Sequence, residues 1–510
     1  MAANILKKIA GFEEVVNELE SLRRSGKTVV HCHGVFDLLH PGHIRHLAAA
    51  KQQGDVLVVT TTTDAYVNKG PGRPVFNEAL RAEVLASLDN VDYVIVSPFP
   101  SAVQAILKIR PDVYVKGSDY ANPSDDITGN IVEEKNAVEA NGGRLHFTDE
   151  ITFSSSNLIN NYFSPFTLQT RDWLGKLKEE ISPERVNNLF DKISNMNVLV
   201  IGEIIIDEYV FCSSLGKVAK DPILAFKNLT EETILGGAGA IANHLGDFAK
   251  SVELLSLIGG LNGREKFIRD SLHTNVELHL VENPAVPTIC KRRFVDNHTG
   301  AKLFEIYFMD EEPLSEEAHS DLLKLAENRI KAADLVIVAD YGHGMMEDAL
   351  IRIIEREAKF FALNTQANAG NRGLNPLHRY RHADYICLAG NELENESRLH
   401  NSNYEAMIER VTRETDCDRF TITLGREGSI HFDDRKEVCR APALASQVVD
   451  RVGAGDAVLS ITSMLVAASA PWDVVAMVGN AAGAELVGQL GNRRSLSKSS
   501  FIKHLGTLLK

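Results

Sequence analysis

Two short stretches of this 510-residue chain gather the residue types that phosphate chemistry needs. In the first, His40-Pro41-Gly42-His43 follows the apolar run Thr28–Gly34 and opens a helical pattern. The start of a helix offers unpaired N–H groups and a positive dipole end, Gly42 permits close backbone approach, and the two imidazoles can donate to phosphate oxygens. In-line displacement at an α-phosphorus asks for little beyond positioning and charge stabilisation. In the second, Gly453-Ala454-Gly455-Asp456 enters a long apolar helix. Gly453 and Gly455 free successive N–H groups to converge on an anion. Asp456 can take the proton of a hydroxyl as it attacks a γ-phosphate. Either motif alone also reads as a capped helix start. The strand before the first and the context around each decide for chemistry.

The elements that must hold these motifs alternate. Thr28–Gly34, Asp55–Thr62, Asp92–Pro98 and Asp112–Ser118 are runs rich in Val, Ile and Thr, separated by amphipathic segments. That alternation predicts a doubly wound parallel sheet. A polar helical stretch follows, and the alternation restarts with Asn197–Ile206, then Leu335–Tyr341, Lys359–Thr365, Asp384–Gly390 and Arg419–Gly425. Phe294–Phe308 has period-two character and is expected in a small antiparallel lid. The predicted fold class is α/β, with two doubly wound domains, the second carrying a β lid. The expected order is an N-terminal helix over 1–26, a Rossmann-like domain over 27–165, a linker and entry helix over 166–195, and a larger domain over 196–510.

Length alone predicts more than one core. A formal net charge of -15 excludes a non-specific nucleic-acid binder, which must release counterions with excess cations. Six scattered cysteines without a C-x-x-C pair suit a reducing cytosol. The first twenty residues read as an amphipathic helix rather than a signal peptide, because Glu13, Glu14, Glu18 and Glu20 interrupt any apolar run, and no long uncharged apolar run exists. A cytoplasmic protein with small-molecule partners and no membrane is expected.

The first domain resembles the cytidylyltransferase-like superfamily, most closely the heptose 1-phosphate nucleotidyltransferase domain. The resemblance rests on Gly34–His43 (GVFDLLHPGH), Asp64–Gly70 with Arg73-Pro74-Val75, Arg81–Asp92, Val115–Tyr120 and Ser154–Ile159, in that order. It implies that His40 and His43 hold the triphosphate and stabilise the transition state. Nucleotide and phosphate contacts would come from Gly34, Phe36, Gly42, Lys69, Arg81, Lys116, Asp119, Ser154, Ser155 and Ser156. Asp37, after the first strand, is expected to hold the loop.

The second domain resembles the ribokinase-like (PfkB-like) sugar kinases, most closely the heptose 7-phosphate kinase. Leu235–Phe248, the N-x-x-E of Asn391 to Glu394, Thr423–Ser429, the Gly453–Asp456 motif and Gly479–Gly491 carry it. It implies that Asp456 is the base and that Asp207, Gly236, Gly237 and Asn243 meet the sugar. Asn391, Thr423, Gly425, Gly428, Gly453, Ala454, Gly455 and Asn480 would line the nucleotide, and Glu394 would order Mg²⁺ through water. ATP, and for the transferase ATP or CTP, are the implied substrates, with a sugar phosphate as partner and a homodimer as assembly. The domain order is reversed relative to the familiar bifunctional heptose enzyme. Two stretches depart from the pattern: Asn364-Thr365-Gln366 stands where Asp-Pro-Lys is usual, and Lys217–Leu224 lacks the usual Glu-Ala-Pro. The first departure predicts either an unphosphorylated acceptor or a phosphate contact from another residue, Lys220 or Arg292.

Overall fold

The structure is a computed structural model that describes residues 6–67, 73–117, 130–148, 166–310, 312–371, 373–400 and 403–509. The chain divides into two compact units, 1–167 together with 499–510, and 168–498. The last helix, Lys498–Leu508, therefore falls almost wholly in the first unit rather than in the second.

The first unit is built on β1 (Val29–Gly34), β2 (Val56–Thr62), β3 (Tyr93–Ser97), β4 (Val113–Gly117) and β5 (Arg144–Thr148). All four pairings are parallel, in the order β3-β2-β1-β4-β5. The four expected strands stand where the apolar runs lie, and β5 joins them at one edge. Every residue of β2 is buried, as a central parallel strand covered on both faces requires. The chain leaves β1 toward β2 on one side and returns to β4 on the other, so a crevice opens at the C-terminal end of β1. Helix Phe12–Arg24 lays Val15 and Leu19 on the strands' apolar face, with Glu13 and Glu14 in its first turn and Arg23 and Arg24 in its last.

The second unit contains β6 (Asn197–Gly202), β7 (Ile204–Lys217), β8 (Leu224–Gly237), β9 (Ser251–Gly259), β10 (Val276–Asn283), β11 (Cys290–Asp296) and β12 (Lys302–Phe308). It continues with β13 (Leu335–Asp340), β14 (Phe361–Thr365), β15 (Tyr385–Ala389), β16 (Phe420–Thr423), β17 (Ser429–Asp433) and β18 (Lys436–Ala441). A nine-stranded sheet runs β10-β9-β6-β13-β14-β15-β16-β17-β18, parallel until its last two pairings. Its switch point lies between β6 and β13. Helix Ala454–Ala467 is buried from Asp456 to Val466, which suits its apolar sequence.

The remaining four strands form the lid, in the order β12-β11-β7-β8. Its β11–β12 hairpin is antiparallel as expected, whereas β11 joins β7 in parallel. The run Asn197–Ile206 is thus two strands, one in each sheet, broken at Glu203. Alternation along β11 turns Lys291, Arg293 and Val295 inward, while Arg292 and Phe294 are more open.

Candidate active sites

In the first unit, β1 ends in a loop in which Phe36 adopts φ 49°, a left-handed conformation uncommon outside glycine. The Phe36 ring lies over Gly34, where an added Cβ would come within 3.1 Å of it. The same ring meets His43 edge-on, with centroids 5.4 Å apart. Helix Pro41–Lys51 then starts with Pro in its first turn and His40 as its cap. The Nδ1 of His40 accepts the Gly42 N–H at 3.1 Å, so the neutral ring carries its proton on Nε2. That Nε2 is buried without a hydrogen-bond partner among the described residues. The rings of His40 and His43 lie 4.0 Å apart between centroids. Burial lowers the pKa of His40, so it serves as a neutral donor at ordinary pH.

The loop is held from below. Asp37 is buried and accepts the N–H groups of Val75 and Phe76 at 2.6 and 3.2 Å, with Arg73 at 3.3 Å. This is the structural role expected of it. Arg81 is different from the expectation of a phosphate ligand. It is 2 % exposed, and its guanidinium donates to the carbonyls of Val35, Thr62 and Phe76, to Thr61 Oγ1 and to Asp64. Val35 lies in the loop that carries the motif, and Thr61, Thr62, Asp64 and Phe76 lie at and after the end of the neighbouring β2, so Arg81 ties that loop to the adjacent strand end. Lys116 points at the crevice end of β4 but pairs with Glu134 at 2.9 Å. Sequence reading passed over Thr60, whose hydroxyl lies between His31 Nε2 at 2.8 Å and His33 Nδ1 at 2.7 Å. Burial drives the His33 pKa down to about 3. Lys69, Asp119, Ser154, Ser155 and Ser156 lie outside the described residues.

In the second unit, Gly453 takes φ 85° at the start of helix Ala454–Ala467, where a Cβ would run into Asn492 at 2.0 Å. A Cβ on Gly455 would meet nothing within 4 Å, which leaves the backbone N–H groups of the turn open to a ligand. Asp456 accepts the Tyr341 hydroxyl at 3.0 Å. Burial raises its pKa to about 6 against that stabilising hydrogen bond. A carboxylate poised there can accept a proton near neutrality.

The lid supplies the opposite wall. Asp207 accepts Arg293 at 2.5 Å, and Arg293 also reaches Glu305 at 3.1 Å. Gly236 makes room for that carboxylate, since a Cβ would stand 2.4 Å from Asp207 Oδ2. Gly237 carries φ 58° where β8 turns into helix Ala238–Leu245. Asn243 does not face this wall. Its amide donates to Ser271 O at 2.9 Å and accepts His273 N–H at 2.7 Å, which fastens the helix to the turn before β10.

The remaining expected nucleotide residues gather at the ends of β15 and β16, where Ala389 pairs with Thr423. Asn391 and Glu394 lie on helix Gly390–Ser397 just beyond, and Gly425 and Gly428 form the turn into β17. Asn480 donates to Ser429 Oγ at 2.7 Å and to Ala476 O, so its amide braces this turn.

In the Asn364-Thr365-Gln366 departure, the Asn364 side chain and the Gln366 main-chain carbonyl bond within the scaffold. Asn364 donates to Cys387 O at 2.8 Å, across to β15. Gln366 O accepts Asn371 at 2.6 Å and Asn375 at 3.2 Å, and the same two amides reach Tyr341 O and Asp340 O. Asn368 adds a second bond to Tyr341 O. This amide web fastens the loop carrying Tyr341, whose hydroxyl donates to Asp456. Glu203 secures the loop from the other side by accepting the N–H groups of Tyr341, His343 and Met345. Arg292, one expected substitute for the lost cation, is held by Glu208 at 2.7 Å. Lys220, the other, is exposed in the turn between β7 and β8. The residues that sequence reading missed are Lys291, Arg293, Tyr341 and Glu203. The run of three cations from Lys291 to Arg293 just before the lid segment was the available signal for the first two.

Residues 31–161 match the cytidylyltransferase-like family and residues 195–499 the pfkB family carbohydrate kinases. Bifunctional protein HldE of Syntrophotalea carbinolica is 41% identical over 155 residues, covering 30% of each chain. Bifunctional protein HldE of Bradyrhizobium diazoefficiens is 28% identical over 309 residues, 59% of this chain and 62% of that protein. The matches thus span from under a third to about three-fifths of those curated relatives. Among solved structures, the tetrameric inhibited form of phosphofructokinase-2 from Escherichia coli aligns with 62% of this chain and 100% of its own, at 14% identity and TM-score 0.49. Ribokinase of Arabidopsis thaliana with ribose and ATP aligns with 62% of this chain and 99% of its own, at 16% identity and TM-score 0.46. The chain carries a nucleotidyltransferase domain and a sugar kinase domain, each of α/β fold. With more than half its length matched, it belongs to the pfkB family of carbohydrate kinases.

Proposed function

We propose that this chain is a bifunctional enzyme that makes a nucleotide-activated sugar. Its kinase site would phosphorylate a heptose-like sugar or sugar phosphate with ATP, and its transferase site would join a sugar phosphate to a nucleoside monophosphate with release of pyrophosphate. The observation that carries the reading is that each motif sits at the crevice of its own doubly wound sheet, with its chemistry-bearing group oriented by a neighbour: His40 by Gly42, Asp456 by Tyr341. At the first site, neutral His40, together with His43 and the helix N-terminus, stabilises charge growing on the α-phosphoryl oxygens and the departing pyrophosphate. At the second, the attacking hydroxyl gives its proton to Asp456 as its oxygen bonds the γ-phosphorus and the bond to the β-phosphate oxygen breaks.

Mg²⁺ fits as an ion carried by nucleotide phosphates. Among the described residues no cluster of three or more metal-ligating side chains exists, and Mg²⁺ typically keeps several waters beside one or two carboxylates. Glu394, partly open, would hold its water shell; the bound ion would neutralise phosphate charge. In this reading the order of the two activities along the chain is the reverse of the heptose enzyme's. The apolar residues Leu215, Ile223, Leu224, Phe304 and Ile306 exposed on the lid support a homodimer joined there.

Purified protein offered ATP or CTP with a panel of sugar phosphates, read by pyrophosphate release, tests the transferase. ADP formation with the matched sugars tests the kinase. Turnover only with CTP and glycerol or ribitol phosphate would replace the sugar reading with a polyol one.

A further inference from the structure

The loop after helix Trp472–Val487 brings an amide against the Gly453 turn. A Cβ on Gly453 would stand 2.0 Å from Asn492 Oδ1 and 2.9 Å from its Nδ2, so this side chain lies directly on the turn. The loop is fastened on several sides. Gly491 donates its N–H to Asp450 Oδ2 at 3.3 Å, and Gln489 Nε2 donates to Arg494 O at 2.7 Å. Arg493 pairs with Glu232, and the Leu496 N–H donates to His244 Nδ1 at 3.2 Å.

His244 decides which way the amide faces. It is buried, and burial pushes its pKa down to about 4, so the ring is neutral. Because Nδ1 accepts from Leu496, the ring proton sits on Nε2, which faces Asn492 Oδ1 at 3.4 Å. Turning the amide over would set donor against donor. Nδ2 is therefore directed away from His244. It is buried and makes no hydrogen bond of full geometry among the described residues. The helix supplies its acceptor. Gly453 is the cap of Ala454–Ala467 and Asp456 the third residue inside, and a side chain at that position folds back toward the cap.

We infer that Asn492 is a second positioning residue for the kinase base, its amide donating to the Asp456 carboxylate alongside the Tyr341 hydroxyl and held in that sense by neutral His244. This role rests on the kinase reading above. A carboxylate held by one donor can still swing about that bond, whereas two donors keep a lone pair aimed at the acceptor hydroxyl. Electrostatics agree with this placement. Burial is the largest influence on Asp456 and raises it to about 6, with Asp207 of β7 acting in the same direction. Tyr341, Asn492 and Lys291 of β11 hold it down. The Glu392 carboxyl and the Cys387 thiol also feel the Asp456 charge, and each is pushed up, chiefly by its own burial.

The test uses full-length protein with Asn492→Ala and Asn492→Asp. Ionisation of Asp456 is read twice: from the pH profile of kinase kcat, and from the side-chain carboxyl ¹³C resonance that disappears in Asp456→Asn. Asn492→Ala removes the donor and moves the ionisation to higher pH, by about tenfold in its constant. Asn492→Asp keeps the shape and the acceptor for His244 but sets a carboxylate beside the base, and moves it further. Affinity for a non-hydrolysable ATP analogue, measured by calorimetry, holds in Asn492→Ala. An unmoved Asp456 ionisation in either variant with wild-type melting overturns the inference. So does a fall in analogue affinity in Asn492→Ala without movement of the resonance, which would assign the amide to the γ-phosphoryl group instead. Because the resonance is read without turnover, a kinase inactive on every sugar would defeat the functional reading and leave this result standing or falling by itself.

Discussion

The two sites handle phosphate in opposite ways. The transferase site offers neutral donors on a strained loop, and its one fully buried arginine, Arg81, faces inward to five groups of the scaffold. The kinase site sets charges against charges: Asp207, Arg293 and Glu305 in a row, with buried Lys291 acted on by the carboxylates of Asp207, Glu305 and Asp456. A loop that must admit and release a highly charged triphosphate gains from dipoles that cost little to solvate. A closing lid can hold ions because it removes water as it closes.

The contrast is broken most severely at the two reactive groups. Asp456→Asn keeps the shape but removes the base, and phosphoryl transfer is expected to fall about 10²–10⁴-fold while ATP still binds. Stopped ADP release with retained nucleotide affinity checks this. His40→Ala is expected to lower pyrophosphate release about 10²–10³-fold, with kinase turnover kept. Loss of both activities in a folded His40→Ala protein would mean the two sites are not independent.

Acid sharpens the contrast. Asp456, held up to about 6 by burial, acts as a base only when ionised, so kinase kcat should fall as pH drops through about 6. His40 acts as a neutral donor and burial lowers its pKa, which moves any loss of the neutral form to lower pH and shifts the acid limb of the transferase in the direction opposite to the kinase's. Parallel pH profiles measure the divergence. Tyr341→Phe removes a hydrogen bond that favours the ionised carboxylate, so the kinase limb should move to higher pH with a several-fold loss of rate at neutrality. A smaller effect on chemistry is expected from Arg81→Met, which leaves carbonyls and Asp64 without their donor and should destabilise the first unit by about 3 kcal/mol. Chemical denaturation followed in the first unit reads it, and the kinase pH profile should not move.

How much of this was legible differed between the sites for a physical reason. A phosphate turn is local: His40-Pro41-Gly42-His43 and Gly453–Asp456 carry cap, glycine and reactive group within four residues, so both stand out in one dimension. The strands bearing them were equally plain, because buried parallel strands are continuous apolar runs. The lid wall is not local. Lys291 meets Asp207 only through the β11–β7 register, and no spacing in the chain announces that parallel pairing. Arg81 and Asn243 misled for the converse reason. Their positions follow the family pattern, but their side chains turn inward, and direction is decided by tertiary partners that a motif does not contain. The same holds for Asn364: read as a rebuilt ligand site, it is a bond to the neighbouring strand.

The web of Asn368, Asn371 and Asn375 around Tyr341 has one more consequence. Amides carry no charge to be screened and no proton to lose, so neither salt nor acid loosens these bonds to the loop that carries Tyr341. Its weakness is slow and chemical. Hydrolysis of the Asn371 amide, fully buried and bonded to Tyr341 O and Gln366 O, would turn a donor into a carboxylate facing two carbonyls. Burial and its two bonds guard that amide, so the web keeps its seat until the unit itself opens.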